Sequence, residues 1–134
     1  MRKFQLEHVG VAVTDPKAAA QWYQRVLGFE ILHLVVEDDA SNAFLRDDAG
    51  TVVEFWQIRG VRSIADDLTH HLQLHLALRS ESPLEDARYL MDQGATLVEI
   101  APVAQNGDQT VALRDPWGNC IQLAKRGAGS FLRR

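Results

Sequence analysis

Apolar and polar residues alternate along positions 4–13, with Val9, Val11 and Val13 on one side and Leu6, His8, Gly10 and Ala12 on the other. A period of two is that of a strand, and the valine side is the one expected to face a core. Thr14-Asp15-Pro16 then places a capping residue before a proline at the first helical position. Ala19, Trp22, Tyr23, Val26 and Leu27 follow at helical spacing, and Gly28 marks the end of that helix. Three extended segments are predicted at about 29–37, 41–48 and 51–58, separated by the turn formers Asp38-Asp39 and Asp47-Asp48-Ala49-Gly50. This stretch reads β-α-β-β-β.

Residues 59–71 form a polar connection in which Ile64-Ala65-Asp66-Asp67-Leu68 can make a short helical turn. After it the same order begins again. Residues 72–79 alternate, and Ser82-Pro83 starts a helix that runs through Leu84, Ala87, Leu90 and Met91 to Gly94. Strands are expected at 96–101, 108–114 and 119–125. Three landmarks share one period: His8 to His75 is 67 positions, Gly28 to Gly94 is 66, and Glu54 to Gln122 is 68. These matches predict two repeats, about 4–58 and 72–125, within a single domain spanning 1–134. Identity between the halves is low, so the repeat rests on element order and spacing.

The 134 residues, 46% hydrophobic and 24% charged, suit one soluble globular domain. A net charge of −4 with no basic stripe argues against nucleic acid as a partner. Cys120 stands alone, which rules out an intrachain disulfide, and no apolar leader opens the chain, so a cytoplasmic location is expected. No run approaches the roughly 20 apolar residues of a membrane helix.

Strand parity brings the candidate chemistry together. On the first strand of each half, His8 and His75 lie opposite the side of Val9, Val11 and Val13 or of Leu74, Leu76 and Leu78. On the last strand of each half, Val53 and Phe55, or Ile121 and Leu123, take the core side, which leaves Glu54 and Gln122 on the histidines' face. Two imidazoles, a carboxylate and an amide oxygen suit Mn, Fe(II), Co, Ni or Zn better than Ca, and the lack of thiolate argues against a closed structural zinc site. Water would fill the remaining positions, which is the open coordination that a catalytic metal needs. Trp56 and Arg79 share this face as candidate substrate contacts. Trp22 is expected in the helix-to-sheet core, Trp117 in turn packing, Cys120 in small apolar packing, and His33, His70 and His71 on the surface.

The segments His8-Val9-Gly10-Val11-Ala12-Val13-Thr14-Asp15, Trp22-Tyr23 with Leu27-Gly28-Phe29-Glu30, and Asp115-Pro116-Trp117-Gly118-Asn119 before Ile121-Gln122-Leu123 resemble signatures of the glyoxalase, bleomycin-resistance and extradiol-dioxygenase (vicinal-oxygen-chelate) superfamily. The likeness runs from about residue 5 to 130 and is nearest in layout to bacterial glyoxalase I. It implies an α+β fold of two βαβββ repeats whose half-barrel-like sheets surround a cleft, with a divalent metal on His8, Glu54, His75 and Gln122. It further implies a lyase or isomerase in which the metal binds adjacent oxygens of a small oxygenated substrate and a carboxylate moves a proton through an enediolate.

Two departures shape this expectation. The fourth position is normally a glutamate that acts as base, whereas Gln122 has no basic oxygen to offer, so base duty falls to Glu54. Positions that carry glutathione-binding arginine and asparagine in bacterial glyoxalase I correspond to Ala12 and Ile58, which argues against glutathione. Two alternatives stay open: an extradiol-type Fe(II) dioxygenase built on His8, His75 and Glu54, and a metal-free ligand-sequestering protein of the bleomycin-resistance kind. Exposed sheet edges lead to the expectation of a homodimer, either side by side or by exchange of halves through 59–71.

Overall fold

The structure, a computed structural model, describes residues 1–132. The chain divides into two compact units, Met1–Asp67 and Leu68–Arg134. In the first, β1 (Val9–Ala12), α1 (Pro16–Leu27), β2 (Glu30–Val36), β3 (Ala40–Arg46) and β4 (Val52–Ile58) precede a one-turn α2 (Ile64–Asp67). The sheet order is β1-β4-β3-β2, with β1 parallel to β4 and the other pairs antiparallel.

Capping chemistry sets the bounds of α1. The Asp15 carboxylate accepts from the Ala18 N–H at 3.0 Å, and Pro16 follows at the first helical position. At the other end Gly28 takes the left-handed conformation at φ 74° and donates to the Gln24 carbonyl, a turn that side chains with a Cβ resist. The helix buries Ala19, Ala20, Trp22, Tyr23 and Val26. Tyr23 meets Phe55 of β4 edge to face at a centroid distance of 4.8 Å, and Val11, Val13, Ala43, Leu45 and Val53 complete that core. Each such aliphatic or aromatic side chain stabilises the fold by about 1.5–3 kcal/mol on burial. Trp22, 3% exposed, lies in this core as its helical spacing predicts.

The second unit repeats the plan with β5 (His75–Arg79), α3 (Pro83–Asp92), β6 (Thr96–Ile100), β7 (Gln109–Arg114) and β8 (Cys120–Lys125), in the order β5-β8-β7-β6. The protein is therefore α+β, with two βαβββ units. The correspondence reaches the hydrogen-bond register: Gly10 faces Glu54 across β1 and β4, and Ala77 faces Gln122 across β5 and β8. Each sheet also carries one irregularity on its outer antiparallel pair, between Ile31 and His33 in the first and between Leu97 and Glu99 in the second.

Two local expectations change. The first strand begins at Val9 and not at residue 4, and Phe4 and Leu6 are 89% and 85% exposed. The cause is register: Val9 pairs with Val53, the second residue of β4, so residues before His8 run past the start of that strand. The strand expected at 72–79 begins at His75, because residues 71–73 form a 3-10 turn. There the Gln73 side chain accepts from the Thr69 and His70 N–H groups, which draws it into a capping box. Ser82 precedes α3 without a side-chain cap bond; its neighbour Ser80 instead donates its hydroxyl to the Asp86 carboxylate.

The β7–β8 turn is held by Asp115, whose carboxylate accepts the Trp117 and Asn119 N–H groups, each at 2.9 Å, with Gly118 at φ 87°. Among the described residues no helix is long and apolar enough to cross a membrane.

Candidate functional site

In the first unit, Val53 and Phe55 point into the core beneath α1, so Glu54 and Trp56 project from the opposite face of β4. Pairing carries that face across the sheet: Phe44 lies opposite Glu54, Asn42 opposite Trp56, and His33 opposite Phe44. Gly10 completes the row from β1. A Cβ at Gly10 would sit 3.5 Å from both Glu54 Oε1 and Trp56 Nε1, so larger side chains here would cover the carboxylate.

His8, one residue before β1, brings its Nε2 to 3.7 Å from Glu54 Oε1. Its ring packs edge-on against Phe44, with centroids 5.3 Å apart. The proton position on this imidazole follows from its other contact. Nδ1 lies 2.9 Å from the Glu7 carboxylate, which can only accept, so the hydrogen is assigned to Nδ1, and in that tautomer Nε2 keeps a lone pair. That lone pair faces a carboxylate oxygen at a distance too long for a hydrogen bond. Two acceptors so placed suit a shared cation. The other carboxylate oxygen, Oε2, accepts from Asn42 Nδ2 at 3.0 Å.

In the second unit His75 has the same chemistry by another route. Its Nδ1 donates to the backbone carbonyl of Leu72 at 3.1 Å, which again frees Nε2. Gln122 is half-buried on β8 and faces Ala77, the counterpart of Gly10. Ligating histidines commonly spend their second nitrogen on a carboxylate or a carbonyl, so the donor atoms present fit a divalent metal of the Mn-to-Zn series. Within neither unit, among the described residues, do three His, Cys, Asp or Glu side chains gather as a metal-holding group. Each unit on its own offers half of the four-residue set.

A cavity of about 360 Å³ opens on the first unit beside Glu54, Asn42, Trp56, Val35 and Ile58. Trp56 thus borders the carboxylate and an apolar wall. Arg79 is exposed at the end of β5. Cys120 is 3% exposed, and its thiol is pushed up from its ordinary value by burial first and by the Asp115 charge, against the pull of Arg114. That leaves it an inert packing group.

The expectation that His71 lies on the surface is corrected. It is 9% exposed, its Nε2 stands 3.0 Å from Glu99 Oε2, and its ring stacks on His70 at a centroid distance of 4.3 Å. The 3-10 turn rotates it inward where a loop would have left it outside. Sequence reasoning also passed over Asn42 and Phe44, although the alternation of β3, which buries Ser41, Ala43 and Leu45, marks both as facing Glu54's side.

Residues 5–123 match the model of the Glyoxalase/Bleomycin resistance protein/Dioxygenase superfamily. No curated protein matches the chain. Among solved structures, the glyoxalase family protein from Bacillus cereus aligns with a TM-score of 0.73 at 20% identity, covering 96% of this chain and 97% of its own. A genomically encoded fosfomycin resistance protein from Listeria monocytogenes aligns at 0.69 and 14% identity, covering 95% of this chain and 97% of that one. A glyoxalase I mutant from Zea mays aligns at 0.68 and 19% identity over 92% of this chain, which spans only 45% of the maize chain. At these identities the likeness speaks for the fold.

Proposed function

The chain belongs to the Glyoxalase/Bleomycin resistance protein/Dioxygenase superfamily, and from that premise we propose that it is a metal-dependent, glyoxalase-like lyase or isomerase acting on a small oxygenated substrate. In this reading His8, Glu54, His75 and Gln122 hold the divalent cation. The observation that carries it is the state of the two histidines: each spends Nδ1 on an acceptor, Glu7 or the Leu72 carbonyl, and keeps Nε2 free to ligate.

A divalent cation held there supplies Lewis-acid stabilisation for negative charge that develops on two neighbouring substrate oxygens. The chain's own residues do the rest. Glu54 is the group to take a proton from the substrate carbon, because an ionised carboxylate accepts where the Gln122 amide does not. Trp56 excludes water along one wall of the cavity, and Arg79 is the group to meet an anionic end of the substrate. A homodimer in the cytoplasm belongs to the same proposal; the exposed Leu32 and Val36 on edge strand β2, and Val98 and Ile100 on edge strand β6, support pairing between copies.

The experiment is metal content of the purified protein, followed by isothermal titration of Ni, Co, Mn, Fe(II) and Zn into wild type, Glu54→Ala and His75→Ala. Stoichiometric binding to wild type that both variants lose is the expected result, and turnover would then be sought with hemithioacetals and epimerisable acyl thioesters. Wild-type protein that binds none of these cations overturns the reading. A metal-free ligand-sequestering role would then take its place, favoured by the cavity beside Trp56, and would show as ligand affinity indifferent to chelator.

A further inference from the structure

The two carboxylate oxygens of Glu54 are not equivalent. Oε2 accepts from Asn42 Nδ2 at 3.0 Å. Oε1 stands 3.7 Å from His8 Nε2 and borders the open space above Gly10. Asn42 comes from β3 and His8 from the approach to β1, the strands on either side of β4, so the carboxylate is bracketed from both flanks. Among the described residues Asn42 is the side chain that donates a hydrogen bond to Glu54. Its amide must present nitrogen and not oxygen, because an ionised carboxylate only accepts.

This contact matters because the last torsion of a glutamate is soft. Its wells are broad and roughly two-fold, so an untethered carboxylate turns its oxygens freely. With Oε2 bound from the β3 side, Oε1 is left toward His8. We infer that Asn42 is a positioning residue that holds Glu54 through Oε2 and so dedicates Oε1 to the metal position shared with His8. The inference rests on the reading of Glu54 as a metal ligand given above. It adds a residue outside the four-ligand set and assigns separate duties to the two oxygens of one carboxylate. Such outer partners orient a ligand, and their loss typically costs about 10–100-fold in metal affinity.

The test compares Co or Ni titration into full-length wild type, Asn42→Leu and Asn42→Gln. Leucine keeps a similar volume without the donor, and glutamine keeps an amide donor on a longer arm. Asn42→Leu should bind about 10–100-fold more weakly, with Asn42→Gln recovering part of the loss and both melting close to wild type. A merely structural role would shift melting and leave affinity in place.

The second measurement needs no metal: the Asn42 side-chain amide resonances in wild type and in Glu54→Ala, where loss of the carboxylate should move the bonded proton upfield. If wild type binds metal and Asn42→Leu binds it equally well, the positioning role is overturned while the metal reading stands. If wild type binds no metal, the reading of Glu54 as a ligand fails, and Asn42's role toward a metal falls with it. In that case the amide resonances still separate the two ideas: a shift in Glu54→Ala upholds the hold on Oε2, and no shift overturns it.

Discussion

A Cβ at Gly127 would stand 2.3 Å from the backbone oxygen of Asn106, closer than any side-chain carbon can approach. The chain after β8 therefore crosses the turn before β7 with backbone directly against backbone, and only glycine leaves room for it. The three nearest atoms, the Asn106 oxygen and the carbonyl carbon and Cα of Gly107, all belong to main chain, so none can swing aside. Gly127→Ala should destabilise the second unit by about 1–3 kcal/mol through overpacking. Thermal unfolding checks this, with a fall of roughly 4 °C for each kcal/mol at this size. Gly50→Ala, which meets no neighbour within 4 Å but sits at φ 94°, separates backbone strain from crowding.

Asp108 fastens the same crossing and should make it sensitive to acid. Its carboxylate is held below the ordinary value of 3.8, above all by the backbone N–H of Gly127, with the Ser130 hydroxyl, the Arg126 guanidinium and the Asn106 amide outweighing the opposing effect of desolvation. A depressed carboxylate pKa means that the folded state binds the proton less tightly than the unfolded chain. The stabilisation is fully present above about 3.8 and is lost as pH falls through the lower folded value. Asp108→Asn should thus melt below wild type at pH 7, with the gap closing as pH falls below 3.8. Melting curves across that range measure it; a gap that stays constant with pH would refute the role of the charge.

The protonation of the two site histidines is open to direct measurement. Long-range nitrogen–proton spectra of the metal-free protein near pH 8 should show His8 and His75 with hydrogen on Nδ1, as the Glu7 carboxylate and Leu72 carbonyl require. Hydrogen on Nε2 in either residue would remove the basis for ligation there. Glu7→Gln should have a small effect on metal affinity, under about tenfold, because its side chain is 89% exposed and solvent screens its charge.

Periodicity carried the fold because burial is a local pattern. Val9, Val11 and Val13 against His8 and Gly10, and the 66-to-68-residue recurrence of His, Gly and Glu or Gln, were enough to predict two βαβββ units. The same rule could not tell where a strand stops pairing. Residues 4–8 alternate as strand residues do, yet the pairing with β4 begins only at Val9. Likewise reading 59–71 as a polar connection and 72–79 as a strand hid a capping box that turns His71 inward against Glu99.

What the sequence determined by itself was which side of each strand a residue takes, since alternation alone places Glu54 opposite Val53 and Phe55. Only the tertiary structure decided what each polar atom on that side has left to offer. The Nδ1 of His75 is spent on a backbone carbonyl three residues earlier, and Oε2 of Glu54 is spent on Asn42, twelve residues away on the neighbouring strand. Hydrogen bonds of this kind depend on distance and direction between atoms brought together by strand register, and neither quantity is written in the order of residue types.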